Sequence, residues 1–164
     1  MINDWYDDSE ENQQIRRGLW YHIVNAVHIN GRVVYRCTHS QPSGCPLTAI
    51  LNSVYNSVVV RITYILCALK AGKNELCTMK HFNQFVSMVA YGDDNLIAII
   101  EDIREWFNQI TICEAFLQIG HEYTDEGKTG HIVSVKNLKE CAYLKRKFVK
   151  DLIANRHIAP LSLE

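Results

Sequence analysis

Two short runs of strand-forming residues, FVSMVAY (85–91) and NLIAII (95–100), stand on either side of Gly92-Asp93. Apolar and β-branched runs separated by a Gly-X pair read as a β-hairpin with a two-residue turn. The adjacent carboxylates Asp93 and Asp94 then lie at a hairpin tip, where solvent or an ion can reach them, and not in mid-strand. Two carboxylates this close repel unless a cation intervenes. Magnesium favours such oxygen ligands and shares them with phosphates. Neighbouring strand side chains point opposite ways, so one aspartate would ligate directly while the other assists or points away. Taken alone, the three residues read first as an ordinary Gly-Asp turn followed by a second solvated Asp.

Helical periodicity accounts for much of the remaining chain. Residues 10–28 place Ile15, Leu19, Ile23 and Val27 at steps of four. Asn30-Gly31 is a turn signal, RVVYRCT (32–38) reads as a strand and HSQPSG as a loop. Pro46 suits the first turn of a helix over 46–70, with Leu47, Ile50, Leu51, Val54, Val58, Ile62, Ile65 and Leu69 as its buried stripe. Ala71-Gly72 ends it. Residues 79–84 make one more helical turn. An amphipathic helix over about 102–118 turns Ile103, Trp106, Phe107, Ile110, Cys113 and Leu117 inward, and Gly120 ends it. Residues 131–135 are weakly strand-like. CAYLKRKFV (141–149) reads as a tight hairpin with Lys145-Arg146 near its tip.

With 164 residues, about half of them hydrophobic, the chain suits one domain with a core, and a net charge of −1 points by itself to no partner. No run of about 18 apolar residues is free of charge, so no membrane-spanning helix is expected. The acidic start MINDWYDDSEEN lacks the apolar core of a signal peptide. Cys37, Cys45, Cys67, Cys77, Cys113 and Cys141 form no C-x-x-C pair, and reduced thiols in a cytosolic compartment fit better than three disulfides. Residues 91–126 are strongly acidic, with Arg104 their only base, whereas 128–150 are basic, with Glu140 their only acid. Such runs are commonly solvated faces. An acidic centre followed by a basic strip also suits metal ions beside a phosphate backbone.

A second motif is PSGCPLTAILN (42–52). Ser43-Gly44 forms a flexible loop entering a helix, and Thr48, Asn52 and Asn56 follow at steps of four. The polar stripe either faces solvent or hydrogen-bonds a sugar or phosphate at the helix start. Two stretches are decoys. EGKTG (126–130) lacks the earlier glycine at P-loop spacing. DWYDDSE offers Asp4, Asp7 and Asp8, but in a polar surface stretch.

Together, P-S-G-x-x-x-T-x-x-x-N and, some forty residues on, Y-G-D-D resemble the palm of RNA-dependent RNA polymerases of positive-strand, picorna-like RNA viruses of the insect iflavirus type. HSQPSGCPLTAILNSVYNS and VAYGDDN carry the likeness. Helix 102–118 with TDEGK looks like the family's fourth palm motif, and AYLKRKF like its fifth. The likeness covers about residues 30 to 150. It implies an α+β fold: a polymerase palm whose antiparallel sheet is ferredoxin-like (RRM-like), with helices 46–70 and 102–118 on one face. Residues 1–40 would lead into the palm, 41–135 form its core, and 136–164 hold the fifth-motif hairpin and the start of the thumb.

The resemblance also implies roles. Asp93 would bind catalytic magnesium or manganese, with Asp94 its weaker companion, two ions serving the complete enzyme. Ser43 and Gly44 would form a mobile loop at the template and nascent pair, and Thr48 and Asn52 would sense the ribose 2′-OH. Lys128 would assist the leaving pyrophosphate, and Lys145 and Arg146 would steady the primer end. Implied partners are RNA template and primer, NTPs, the fingers, the first palm motif, the thumb and other viral replication proteins, in membrane-associated complexes of the host cytoplasm. The family's first palm motif is not found here. It would supply a central strand, the partner aspartate for metal and the aspartate that pairs with Asn52. The expectation is therefore a polymerase fragment, active only in the full-length protein, with its first palm strand missing. A non-catalytic RNA-binding viral remnant and an unrelated metal phosphohydrolase using Asp93 and Asp94 are the other readings.

Overall fold

The computed structural model describes residues 5–128 and 130–161. The chain divides into two compact units, Met1–Thr48 and Ala49–Glu164. In the first, helix α1 (Glu10–Val24) starts at Ser9, whose Oγ accepts from the Asn12 N–H at 3.3 Å. Glu10 and Glu11 complement the positive end of the helix. The step-of-four spacing carries this helix to residue 28, but it stops at Val24. Val27 instead opens β1 (Val27–Asn30), which pairs antiparallel with β2 (Val33–Arg36). The turn at Gly31, φ 62°, needs two arms, and residues 27–30 are the first of them. Ile15, Leu19, Val27, Ile29 and Val33 are exposed. In the acidic stretch, Asp8 pairs with Arg16 at 2.7 Å and that guanidinium lowers its carboxyl pKa. Asp4 lies outside the described residues.

The second unit is built on helix α2 (Thr48–Lys70). Its start lies two residues beyond the expected one, because Pro46 and Leu47 occupy a turn closed by the Thr48 N–H on Cys45 O at 2.9 Å. Its end is a Schellman motif: Lys73 N–H donates to Ala68 O, Gly72 N–H to Leu69 O, and Gly72 takes φ 69°. The expected buried stripe is on the wrong face. Leu47, Ile50, Val54, Val58, Ile62 and Leu69 are exposed, and Leu51 and Ile65 only half-buried. The buried face is Asn56, Val59, Val60, Thr63, Tyr64, Cys67 and Ala68. α2 is apolar around most of its circumference, so spacing alone does not choose between faces. The choice is made by Tyr64, whose ring meets those of Phe82, Trp106 and Phe107, each at a centroid distance of 5.3 Å. At 23 residues α2 is also long and apolar enough to cross a membrane by length and composition, contrary to the expectation from charge. One face packs on the Tyr64 cluster, with Arg61 half-buried over the Phe82 ring at 4.7 Å.

Helix α3 (Met79–Phe85), capped by Thr78, runs directly into β3 (Val86–Tyr91). β3 pairs antiparallel with β4 (Asp94–Ile99) from Val86↔Ile99 to Tyr91↔Asp94, leaving Gly92 and Asp93 as a two-residue turn. Gly92 has φ 64° and Asp93 is not left-handed, the pattern of a type II′ turn.

The expected single helix 102–118 is broken. A 3-10 turn (Glu101–Ile103) leads to Asn108, which caps α4 (Gln109–Gln118) in a capping box with Thr111. Asn108 Oδ1 accepts from the Ile110 and Thr111 N–H groups, and its Nδ2 donates to Arg104 O at 2.9 Å. The cap resets the helical phase. Ile103, Phe107, Ile112, Cys113, Ala115 and Phe116 are buried, while Ile110 and Leu117, expected inward, are 43% and 65% exposed. Residues 131–135 form no strand. Beyond them β5 (Ala142–Tyr143) pairs with β6 (Arg146–Lys147), and β7 (Val149–Asp151) with β8 (Arg156–Ile158).

Helices and short antiparallel strands together make the α+β class. The strands form four two-stranded ribbons, so a wider ferredoxin-like sheet is not assembled among the described residues. Both outer edges of the β3–β4 ribbon lack a strand partner among the described residues.

The reset of α4 separates two neighbouring positions. Ile112→Ala is expected to cost about 2–5 kcal/mol of stability and Leu117→Ala less than about 0.5 kcal/mol. Urea midpoints of the polymerase carrying each variant check this, and the reverse order would restore the unbroken helix.

Candidate active site

The Gly92-Asp93 turn is held by α2. The Gly92 N–H donates to Ser53 Oγ at 2.8 Å, and that hydroxyl donates to Ala49 O at 2.6 Å. Asn56, 8% exposed, donates from Nδ2 to Asp93 O at 2.9 Å and more weakly to Gly92 O at 3.4 Å. Its Oδ1 accepts from Asn95 Nδ2 at 3.0 Å, and Asn95 Oδ1 accepts from the Tyr123 hydroxyl at 2.6 Å. The turn's backbone is thus clamped while the Asp93 and Asp94 side chains stay exposed. Exposed carboxylates on a fixed backbone suit a hard cation. Asp93 and Asp94 are the right oxygen donors for magnesium. No group of three His, Cys, Asp or Glu is gathered among the described residues.

Tyr123 is fixed from several sides. Its ring lies 4.8 Å from that of Phe116, its carbonyl accepts from Cys113 Sγ at 3.4 Å, and burial pushes its phenol up to about 12 despite the Asn95 hydrogen bond. Just beyond, buried Asp125 shapes the loop leading through Lys128: its carboxylate accepts from the Gly127 and Gly130 N–H groups, and its carbonyl from the Lys128 N–H at 3.0 Å. Lys128 itself is exposed, with φ 50°. β5 packs beside β4, and Tyr143 on it has its phenol pKa raised by burial first and then by the Asp94 carboxylate.

The other expected residues are arranged as follows. Ser43 and Gly44 lie in an exposed loop where Gly44 takes φ 86°, a conformation only glycine adopts without strain. Thr48 closes that loop, its hydroxyl donating to Pro42 O at 2.9 Å and accepting from Gln41 Nε2 at 3.1 Å. Asn52 is half-buried and its side chain makes no hydrogen bond among the described residues. Lys145 sits in the β5–β6 turn with Leu144, at φ 59° and 52°, and Arg146 opens β6. The structure therefore brings Asp93 and Asp94 together with Ser53, Asn56, Asn95, Tyr123 and Tyr143. Sequence reasoning gave four of these five no role, and it placed Asn56 in a polar stripe facing solvent or a sugar or phosphate, whereas Asn56 is buried against the turn. Asn56 was visible as the third polar residue of the α2 stripe, and Asn95 as a polar residue directly after the aspartates. Nothing local marked Tyr123.

The Viral RNA-dependent RNA polymerase family profile matches residues 1–162. The chain belongs to that family. The replicase polyprotein of Cricket paralysis virus is 50% identical to it over 155 residues, 94% of this chain and 9% of the polyprotein. That of Drosophila C virus is 47% identical over 147 residues, 90% of this chain and 8% of its own length. That of Acute bee paralysis virus is 43% identical over 169 residues, the whole of this chain and 9% of the polyprotein. The chain thus spans less than a tenth of the length of these relatives. The picorna-like, insect-virus character read from the two motifs stands, and the aspartate turn clamped on α2 is a feature of a polymerase-family segment.

The raised Tyr123 phenol has a consequence at alkaline pH. Its pKa in the fold lies above that of an ordinary tyrosine, so its contribution is complete below about pH 10 and fades as pH rises toward 12. Tyr123→Phe should remove about 2 kcal/mol of the alkaline loss of stability. Denaturant midpoints from pH 9 to 12 measure it, and parallel curves for the variant and the parent would contradict it.

Proposed function

We propose that this chain supplies the aspartate turn and neighbouring motifs of a viral RNA-directed RNA polymerase, which transfers nucleotidyl groups from NTPs to an RNA 3′-OH under template direction. The observation carrying the reading is the exposed Asp93-Asp94 pair on a turn whose backbone is clamped by α2, within a chain of the polymerase family. Asp93 and Asp94 would hold magnesium or manganese, two ions in the complete enzyme. Held by these two carboxylates, such ions would supply activation of the 3′-OH and charge neutralisation at the leaving pyrophosphate. Asn52, whose amide has no hydrogen bond among the described residues, reads the ribose 2′-OH. Thr48 supports that reading indirectly, because its hydroxyl holds the Ser43-Gly44 loop shape. Lys128 protonates or pairs with the pyrophosphate, and Lys145 and Arg146 grip the primer end.

The two aspartates are an incomplete donor set among the described residues, so activity belongs to the full-length polymerase with its first palm motif, fingers and thumb. Its partners are RNA template and primer, NTPs and other replication proteins, on membrane-associated complexes of the host cytoplasm. The absence of a third metal ligand among the described residues keeps one other reading, a non-catalytic RNA-binding remnant. That remnant would bind RNA through 136–150 with strong salt dependence and no need for magnesium.

In the full-length polymerase Asp93→Asn is expected to abolish primer extension, and normal extension by that variant would end the assignment. Lys128→Ala should slow single-nucleotide addition by about a hundredfold or more without stopping it. Quench-flow measurement of one addition decides this, and an unchanged rate removes Lys128 from the chemistry. Asn52→Ala should lower the preference for ribo- over deoxynucleotides in competing single additions. An undiminished preference would count against its ribose role.

A further inference from the structure

The hydrogen bonds behind the aspartate turn have a fixed polarity. The Asp93 carbonyl can only accept, so Asn56 must face it with Nδ2. Asn56 Oδ1 is then left to accept, so Asn95 must donate with its own Nδ2. Asn95 Oδ1 in turn must accept, and the Tyr123 hydroxyl donates to it. Donors therefore point one way along the whole chain, from Tyr123 through Asn95 and Asn56 to Asp93. Reversing one amide would set acceptor against acceptor at the turn.

The two ends of this chain differ in kind. One end is the backbone of a residue whose carboxylate is exposed. The other is a side chain packed on Phe116 and anchored by its carbonyl to Cys113. His121, two residues before Tyr123, is also tied back to α2, its Nε2 lying 2.6 Å from the Tyr55 hydroxyl. Two residues after Tyr123, Asp125 folds the loop that carries Lys128. The chain thus joins the lysine loop to the aspartate turn across α2, and every link is a side chain that only this packing brings together.

Resting on the polymerase reading above, we propose that Tyr123, Asn95 and Asn56 are positioning residues for Asp93. They fix the backbone of the aspartate turn, and hence the direction of its carboxylate, from the loop that carries Lys128. They touch neither metal nor substrate. Their loss should loosen divalent-metal binding and slow nucleotide addition, while leaving both reactions possible.

The test uses the full-length polymerase with Tyr123→Phe, which removes one hydroxyl and keeps the ring. Phe116→Leu serves as a comparison that loosens the packing under Tyr123 without removing a link. Two readouts do not depend on turnover: binding of Mn2+ to the free enzyme, followed by electron paramagnetic resonance, and amide hydrogen exchange of the peptide spanning 89–96. The third is the Mg2+ dependence of single-nucleotide addition. Tyr123→Phe should weaken Mn2+ binding and raise the Mg2+ midpoint by about fivefold, what one ordinary hydrogen bond confers, and it should speed exchange in the turn peptide. Adding Asn95→Ala to Tyr123→Phe should cost little more, since links of one chain are not additive. Phe116→Leu should lower the melting temperature and leave the metal midpoint in place. Unchanged metal binding and turn exchange in Tyr123→Phe would overturn the proposal. So would an equal metal shift in Phe116→Leu, which would assign the effect to packing alone. Full activity of Asp93→Asn would instead remove the polymerase reading itself, a separate result.

Discussion

A hairpin turn has few internal means of holding still, and here a helix does the holding. Ser53 and Asn56, one helical turn apart on α2, take the Gly92 N–H and the Asp93 carbonyl. Buried backbone groups left unpaired cost about 1–3 kcal/mol each, so these bonds set where the turn can sit. They tie the N-terminal half of α2 to the hairpin on the same face that Tyr64 turns inward. Once Asn56 is at the turn, Val59, Val60, Tyr64 and Cys67 follow it into the core. Depth in the core and placement of the aspartates are therefore one constraint.

The core at the other end of α2 is aromatic. Tyr64 is fully buried among Phe82, Trp106 and Phe107, yet its hydroxyl has no hydrogen-bond partner among the described residues. Burial raises the phenol's pKa, with Cys77 adding to the shift. Edge-to-face and tilted ring pairs of about 0.5–1.5 kcal/mol each offset the unpaired hydroxyl. Buried Cys67 and Cys113 have their thiol pKa values raised chiefly by desolvation, which makes them packing residues and poor nucleophiles.

The opposite face of α2 remains exposed, and this explains how the pattern misled. Its Leu47, Ile50, Val54, Val58, Ile62 and Leu69 make a regular apolar stripe, more regular than the face that is buried. A helix apolar on both sides has two candidate cores, and periodicity ranks them by neatness and not by fit. The error at 102–118 is of another kind. Asn108 followed by Thr111 was a readable capping signal, and missing it shifted the phase of every residue after it. The helix of residues 10–28 was overrun for a similar reason: Val27 satisfied the spacing, but the Gly31 turn demanded a strand before it.

Local chemistry was legible in the sequence. Gly92-Asp93 between two β-rich runs determined the hairpin, its two-residue turn and the exposure of both aspartates, because φ above zero at Gly92 is a local steric matter. The Ala71-Gly72 stop and the Lys145-Arg146 hairpin were legible on the same grounds, and the ordered motifs named the polymerase family. The tertiary structure alone decided which face of α2 is buried, and that Tyr123, Asn95 and Asn56 stand in line behind Asp93. Tyr123 lies twenty-eight residues from Asn95 and Asn95 thirty-nine from Asn56. Hydrogen bonds over such separations depend on how helices and hairpin pack, and no local spacing encodes them.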